Sequence, residues 1–345
     1  MRILHVLFSL NYGGIETMLA DLTRRQAETD DVTLMIINDV VDETLLATFD
    51  PRVKVERLGL RQGGNRLLLL LKVNRRVRRL RPDVIHCHNA NAPGVIRGLD
   101  HKMVFTIHDE GISHRWLRPS MKYIAISDAV KADMLARAPK LNITTVLNGI
   151  ETEAIRRRPF SQPEGEVKLV QVARLLYSKK GQDILIRALS MLPERFTLHL
   201  IGEGDDLEPL RQMARSMGVE QRVTFLGKRS RQWIYEHLAD YDIMVHPSRY
   251  EGFGLTVAEG MAAALPVAVS NSGGPAEIVE NGRLGELFAP KPEECAKAIG
   301  CIADNYQQAL IRVTLALDTV RRRYSMARMT DAYRAIYIPL LECLV

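Results

Sequence analysis

Short apolar runs bounded by turn residues recur along the chain, and each gives way to a stretch whose apolar positions repeat at helical spacing. In the first part these runs are Arg2 to Ser9, Val32 to Asn38, Val53 to Gly59, Asp83 to His88, Lys102 to His108, Tyr123 to Ser127 and Ile143 to Asn148. They are continuously apolar rather than alternating, which suits parallel strands covered on both faces. The order restarts at Val167 to Arg174 and runs on through Phe196 to Gly202, Val223 to Gly227, Ile243 to Pro247 and Pro266 to Ser270. Both parts therefore predict α/β units with right-handed crossovers. Between them the basic, proline-containing stretch 156–163 reads as an exposed linker. This gives a first domain over 1–158, a second over 164–322 and a terminal helical segment over 323–345, for which Ser325 is the expected cap.

A length of 345 residues agrees with two domains, because single cores stop growing near about 250–300 residues. With 46% hydrophobic and 26% charged residues and no repeat, the composition is that of a globular protein with packed cores. The formal charge of +6 points to an anionic partner, a nucleotide phosphate, a nucleic acid or an anionic membrane surface, without choosing among them. Cys87, Cys295, Cys301 and Cys343 sit in apolar contexts with no CxxC spacing, which fits a reducing cytosol. The opening MRILHVLFSL leads into Gly13-Gly14 rather than a cleavage site and reads as a first buried strand. No window approaches the apolar length of a spanning helix, so membrane contact is expected to be peripheral.

In parallel sheets ligands bind beyond the carboxyl ends of the strands, so the residues that close each strand carry the search. The first strand closes into Gly13-Gly14, where a helix begins; this is either a plain tight turn or one that brings backbone N–H groups to an anion. His108 and Asp109 close the fifth strand, with His86 and His88 on a neighbouring strand end; the histidines are compatible with a metal and equally with hydrogen-bonded structural roles. Arg174 closes the first strand of the second part, and Lys180 precedes Gly181 at a helix start, giving two cations beside an anion-binding helix end or a solvated basic loop. Pro247 to Glu259 says most: Glu251 lies on a loop opened by Gly252 and Gly254, and Glu259 lies one turn into an apolar helix, where an ionised carboxylate must be hydrogen-bonded. A ribose diol would supply those bonds.

Two glutamates eight positions apart in EGFGLTVAE resemble the mark of the family-4 retaining glycosyltransferases of the GT-B fold. The resemblance runs through TIHD, VLNGI, VARLLYSKKGQDILIRAL, LIGEGD, VTFLG, VHPSRYEGFGLTVAEGMA and PVAVSNSGGPAEIV. It implies two Rossmann-like domains with parallel sheets facing across a cleft, and transfer of a hexose from a nucleotide-diphosphate sugar, UDP-sugar favoured. By resemblance Glu251 meets the hexose hydroxyls, the backbone of Phe253, Gly254 and Leu255 the sugar and phosphates, and Glu259 the ribose. Arg174 and Lys180 clamp the diphosphate, Gly13 and Gly14 approach it from the other domain, the backbone near Lys228 reads the base, and His108 matches the active-site histidine. No protein nucleophile, metal or other cofactor is implied. Two departures stand beside the glutamates: Gly260 where Ala is usual, and Ala264 where Gly is frequent. Asp240-Tyr241-Asp242 looks like the metal-binding Asp-x-Asp of the other glycosyltransferase fold, but joins a predicted helix to a strand, where a cap or turn role is expected.

The stretch 61–81 is a basic amphipathic helix in which Leu67, Leu70, Leu71 and Val77 recur among Arg66, Lys72, Arg75, Arg76, Arg78, Arg79 and Arg81. It reads as a docking face for anionic lipid or as a packed helix with a solvated basic side. The resemblance implies a glycan or lipid-linked acceptor of bacterial cell-surface polysaccharide or lipopolysaccharide synthesis, at the cytoplasmic side of the membrane, and no nucleic acid. The rival readings are a non-catalytic nucleotide-sugar binder and another GT-B enzyme such as a phosphorylase or epimerase. A dinucleotide oxidoreductase rests only on Gly202-Glu203-Gly204, which lacks the third glycine of that fingerprint.

Overall fold

The computed structural model describes residues 1–11 and 13–342, which leaves Cys343 outside the described residues. The chain divides into two compact units: residues 1–149 with 326–345, and residues 150–325. Unit 1 holds β1 (Arg2–Leu7), β2 (Asp31–Asn38), β3 (Lys54–Leu60), β4 (Val84–Cys87), β5 (Met103–Ile107), β6 (Lys122–Ala125) and β7 (Ile143–Thr145). They form one sheet in the order β3-β2-β1-β4-β5-β6-β7, and every pairing is parallel. Unit 2 holds β8 (Val167–Val172), β9 (Phe196–Ile201), β10 (Val223–Gly227), β11 (Ile243–His246), β12 (Val267–Ser270) and β13 (Glu286–Phe288). Its sheet runs β10-β9-β8-β11-β12-β13, again all parallel.

All the strands expected from continuous apolar runs are present, with ends trimmed by a few residues. The central ones are buried on both faces: β2 is covered from Val32 to Asn38 and β11 throughout. The edge strand β3 stays largely open. Strand β13 escaped the sequence because Glu286-Leu287-Phe288 offers too short an apolar run to register, and only pairing with β12 makes it a strand. In each sheet the order reverses once, between β1 and β4 and between β8 and β11. Connections leave such a point in opposite directions, which opens a crevice at the strands' carboxyl ends.

The domain boundary differs from the expected linker. Unit 2 begins at Ile150, and the stretch 156–163 belongs to it rather than bridging the units. Arg156 donates from its backbone to the Tyr235 carbonyl at 3.0 Å, and Arg158 from its backbone to Ala263 at 2.8 Å. The Arg158 guanidinium is buried, pairs with Asp242 at 2.6 Å and donates to the Ser161 carbonyl at 2.6 Å. The second oxygen of Asp242 accepts from Lys168 N at 2.8 Å. The Asp-x-Asp pattern therefore fastens an incoming segment to β8, with Asp240 paired to Arg156. A charge pattern alone carries no sign of a partner so far back in the chain. The terminal segment also starts later than expected: its helix spans Met326–Glu342 and packs in unit 1 against the helix Gly14–Gln26 and β4.

Removing one partner of a buried pair leaves the other charged and uncompensated. Arg158→Met should cost unit 2 about 3–5 kcal/mol. Adding Asp242→Leu should restore much of that loss, as read from urea denaturation.

Candidate active site

In unit 2 the reversal of strand order sets the loop after β8 beside the loop after β11. Lys180 Nζ pairs with Glu251 Oε2 across these loops. His246, the last residue of β11, lies with Nε2 3.6 Å from the same oxygen and 3.0 Å from Ser248 Oγ. Burial alone would raise the Glu251 pKa, but hydrogen bonding from His246 and the charge of Lys180 outweigh it and hold the carboxyl well below its usual range. Glu251 is thus a fixed anion, about 18% of its side chain facing solvent.

The backbone under these charges is pegged by buried amides. Gln171 donates to the Lys180 carbonyl at 2.8 Å, and Gln182 to the Arg174 carbonyl at 2.9 Å. Gly181 between them has φ +69°, and a Cβ there would stand 2.0 Å from the Pro247 carbonyl oxygen, so the two loops pass in contact. Arg249 clamps Asp183 through two bonds of 2.7 and 2.8 Å. Gly274 donates to the Glu251 carbonyl at 3.1 Å, and a Cβ on it would reach 2.4 Å from Phe253 Cα. The Glu251 loop is therefore braced from β8, β11 and β12.

The other expected donor residues of unit 2 occupy distinct settings. Phe253 is buried with its ring edge-on to Tyr324 and its Cα against Gly274. Gly254 takes φ +100° and caps the helix Leu255–Ala262, in which Glu259 is 8% exposed. Arg174 lies at the surface, 3.6 Å from Asp205, in an exposed ion pair of little worth. Lys228 is exposed just beyond β10. The Gly202-Glu203-Gly204 turn packs on the Ala173 and Leu175 carbonyls, where added Cβ atoms on Gly202 and Gly204 would stand 2.0 and 2.1 Å away. It serves close packing of the two loops. Ala264 stands in the left-handed region at φ +61°, which accounts for the glycine that frequently stands there in the resembled family.

Gly13, Gly14 and His108 lie in unit 1. Gly13 precedes the helix Gly14–Gln26 in extended backbone, and a Cβ on it would meet the Glu16 carboxylate at 2.7 Å. Burial raises the Glu16 pKa. His108 follows β5 and is the partly exposed end of a buried file of rings that sequence reading left incomplete. His5 Nε2 is 2.7 Å from Gln26 Oε1, His5 Nδ1 3.0 Å from His88 Nε2, and His88 Nδ1 3.2 Å from His108 Nε2. His86 stands alongside, on Tyr337 Oη at 2.6 Å and Thr106 Oγ1 at 2.7 Å. Ligand atoms of His5, His86 and His88 come within 4.8 Å of one another, the spacing a metal would need, yet each ring nitrogen of these three has a protein partner. Burial lowers the His5 pKa to about 4 and that of His108 to about 3; burial first, and then the neighbouring rings, also hold His86 and His88 well below the usual histidine range.

Sequence reading thus missed His246, Gln171, Gln182, His5 and Gln26. His246 and His5 were open to it, one closing a strand and the other a lone polar residue inside an apolar run; the buried amides announce nothing by spacing. Of the cysteines, Cys87 and Cys295 are buried as expected, whereas Cys301 is exposed on the helix Pro292–Asp304.

Two family descriptions match the chain: Glycosyltransferase Family 4 over residues 12–154 and Glycosyl transferases group 1 over residues 153–310. A glycogen synthase of Mycobacterium tuberculosis is 30% identical over 289 residues, 75% of this chain and 69% of the relative. The lipopolysaccharide 1,6-galactosyltransferase of Escherichia coli is 23% identical over 302 residues, 81% of this chain and 82% of that one. Among solved structures, Anabaena Alr3699/HepE in complex with UDP-glucose covers 100% of both chains at TM-score 0.81 and 24% identity. That likeness shows the fold, two Rossmann-like units of the GT-B type.

The buried histidines set a pH window. Folded, His5 and His108 stay neutral down to about pH 4 and 3, while the unfolded chain takes up protons below about pH 6.5. Stability of unit 1 should be full above pH 6.5 and fall as the pH drops toward 4, Glu16 opposing the trend in part. Hydrogen-exchange protection of the β1 and β4 amides, corrected for intrinsic rates, should fall across that window; level protection would show that the rings are charged or hydrated.

Proposed function

We propose a specific reaction for this chain, which belongs to the group 1 glycosyltransferases: it moves a hexose from a UDP-sugar, with retention, to a glycan or lipid-linked acceptor of bacterial cell-surface polysaccharide or lipopolysaccharide synthesis. The observation that carries the reading is the Lys180–Glu251 pair at the reversal of strand order, eight residues before the buried Glu259. A carboxylate fixed as an anion accepts hydrogen bonds from sugar hydroxyls, and its cation is ready to serve a phosphate. Glu259 takes the ribose hydroxyls, the backbone at Phe253 to Leu255 takes the sugar and phosphates, and the chain near Lys228 takes the base. The UDP-glucose bound by the Anabaena protein and the lipopolysaccharide acceptor of the E. coli relative support the choice of donor and acceptor class.

In the reaction the bond from the anomeric carbon to the diphosphate breaks and a bond to the acceptor oxygen forms on the same face. The acceptor proton passes to the departing diphosphate. Negative charge therefore grows on the diphosphate, and Lys180 and Arg174 stabilise it there. Arg174 gives up only an exposed contact with Asp205 to do so. No step calls for a metal, and turnover should persist in excess chelator.

Thermal stabilisation by UDP, GDP, ADP, CDP and NAD tests the donor, because selective binding raises the melting temperature by mass action. UDP should stabilise selectively, and NAD alone would overturn the reading. Lys180→Ala and Arg174→Ala should each lower turnover by on the order of 10². Near-normal turnover in both would remove the clamp.

The helix Arg66–Leu80, capped by Asn65, supports peripheral membrane contact. Its packed side is Val73 and Val77 with Leu69, Leu70 and Leu80 partly covered, not the expected Leu67, Leu70, Leu71 and Val77. Leu67 and Leu71 are instead 66% and 62% exposed, one turn apart and beside Lys72 and Arg75. Exposed leucines flanked by cations suit an anionic bilayer surface, at about 1 kcal/mol per basic residue. No helix among the described residues is long and apolar enough to cross a membrane. Vesicles containing phosphatidylglycerol should co-sediment the protein and vesicles of phosphatidylcholine alone should not, and Leu67→Glu with Leu71→Glu should abolish the binding. Retention regardless of anionic lipid would sink the docking role.

A further inference from the structure

A neutral imidazole has one N–H and one lone pair, so a file of rings that bond nitrogen to nitrogen can carry only one tautomer throughout. The file in unit 1 is closed at its inner end by Gln26, whose amide oxygen faces His5 while its amide nitrogen stands without a hydrogen-bond partner among the described residues; an oxygen in that place can only accept. His5 must therefore donate from Nε2, at 2.7 Å. That leaves its Nδ1 as an acceptor for His88 Nε2–H, at 3.0 Å, and His88 Nδ1 in turn as an acceptor for His108 Nε2–H, at 3.2 Å. The outer end is His108 Nδ1, buried and without a hydrogen-bond partner among the described residues. An orphaned buried nitrogen calls for an explanation, and a lone pair at a strand's carboxyl end has one if a ligand hydroxyl completes it.

We propose that Gln26, His5 and His88 are positioning residues that lock His108 as the Nε2–H tautomer, so that its Nδ1 accepts a hydrogen bond from a hydroxyl of the sugar substrate. The file has the means to do this. Gln26, His5 and His88 are 4%, 0% and 3% exposed, which denies water the chance to bridge or reverse a link. His5 and His88 stack at 5.3 Å with 21° between ring planes, and His88 lies 4.2 Å from the His86 ring, which Tyr337 and Thr106 hold in place. Burial keeps the rings neutral, the state in which a lone pair survives at each link. An acceptor at Nδ1 selects for a hydroxyl donor and against a carbonyl or phosphate oxygen at that point.

The inference rests on His108 facing substrate, and its test separates the two. Nitrogen-15 spectra of histidine-labelled protein at pH 7.5, without substrate, read the tautomers directly. His5, His88 and His108 should all be Nε2–H in the wild type, a result independent of any variant's folding. Gln26→Met should return His108 to a mixed tautomer and lower kcat by about tenfold or more, with KM for the donor within about twofold. Gln26→Glu, which can only accept while its carboxyl is ionised, should keep both tautomer and kcat at pH 7.5. An Nδ1–H signal from wild-type His108, or one equivalent of zinc by elemental analysis, would overturn the lock. Loss of kcat in Gln26→Met with the tautomer unchanged would reduce Gln26 to a structural residue. If the tautomers hold but His108→Ala turns over normally, the file stands and its role toward substrate falls.

Discussion

A parallel sheet covered on both faces leaves a chain almost nowhere to put polar chemistry except beyond the carboxyl ends of its strands. Both units obey this constraint. In unit 2 the charged groups cluster where β8 and β11 release their loops, with Lys180 and Glu251 facing each other and His246 behind them. In unit 1 the histidines run from the interior of β1 and β4 to the end of β5. The polar atoms that do lie within the sheets are spent on other protein atoms, as Gln171 is on the Lys180 carbonyl and His86 on Tyr337 and Thr106.

The two clusters solve the cost of burial in opposite ways. Unit 2 keeps its charges and neutralises them in pairs: Lys180 with Glu251, Arg249 with Asp183, Arg158 with Asp242. Such pairs are held open to exchange only where part of the carboxylate still meets solvent, and Glu251 does where Asp242 does so less. Unit 1 discards charge altogether, and its rings communicate by direction of donation alone. A charged pair can change partners when a phosphate arrives, whereas a neutral file can only hold a geometry. On the proposed reading, that contrast suits a donor site in unit 2 that must respond to a leaving group and a residue of unit 1 that must orient a hydroxyl.

Much of this was legible in the sequence and the remainder has identifiable reasons for hiding. Continuous valine and isoleucine runs announce parallel strands, so the sheets could be read, apart from the short β13 that exists only through its neighbour. Gly181, Gly254 and Glu251 stand at strand or helix ends, where the need for left-handed backbone or a paired charge is written locally. The linker misled because composition is local while burial is not: Arg158 looks like a surface charge until Asp242, far along the chain, meets it. Gln26 was silent for the same reason, since a glutamine on a helix gives no hint that a histidine on β1 needs an acceptor.

The formal charge of +6 illustrates the same limit at the scale of the whole chain. Net charge suggested an anionic partner, but it does not say where the excess lies: pairs such as Arg76 with Glu56 and Arg312 with Glu286 cancel locally and leave the +6 to be sought elsewhere. What matters for a partner is charge that remains at the surface beside a second recognisable chemistry. The helix Arg66–Leu80 offers that combination, because Arg75, Arg78 and Arg79 face solvent on the helix that leaves Leu67 and Leu71 uncovered. A solvated basic helix has no use for exposed leucines one turn apart, and a packed helix would have buried them. On the proposed docking role, a bilayer surface would accommodate both at once, apolar side chains below the headgroups and cations among them.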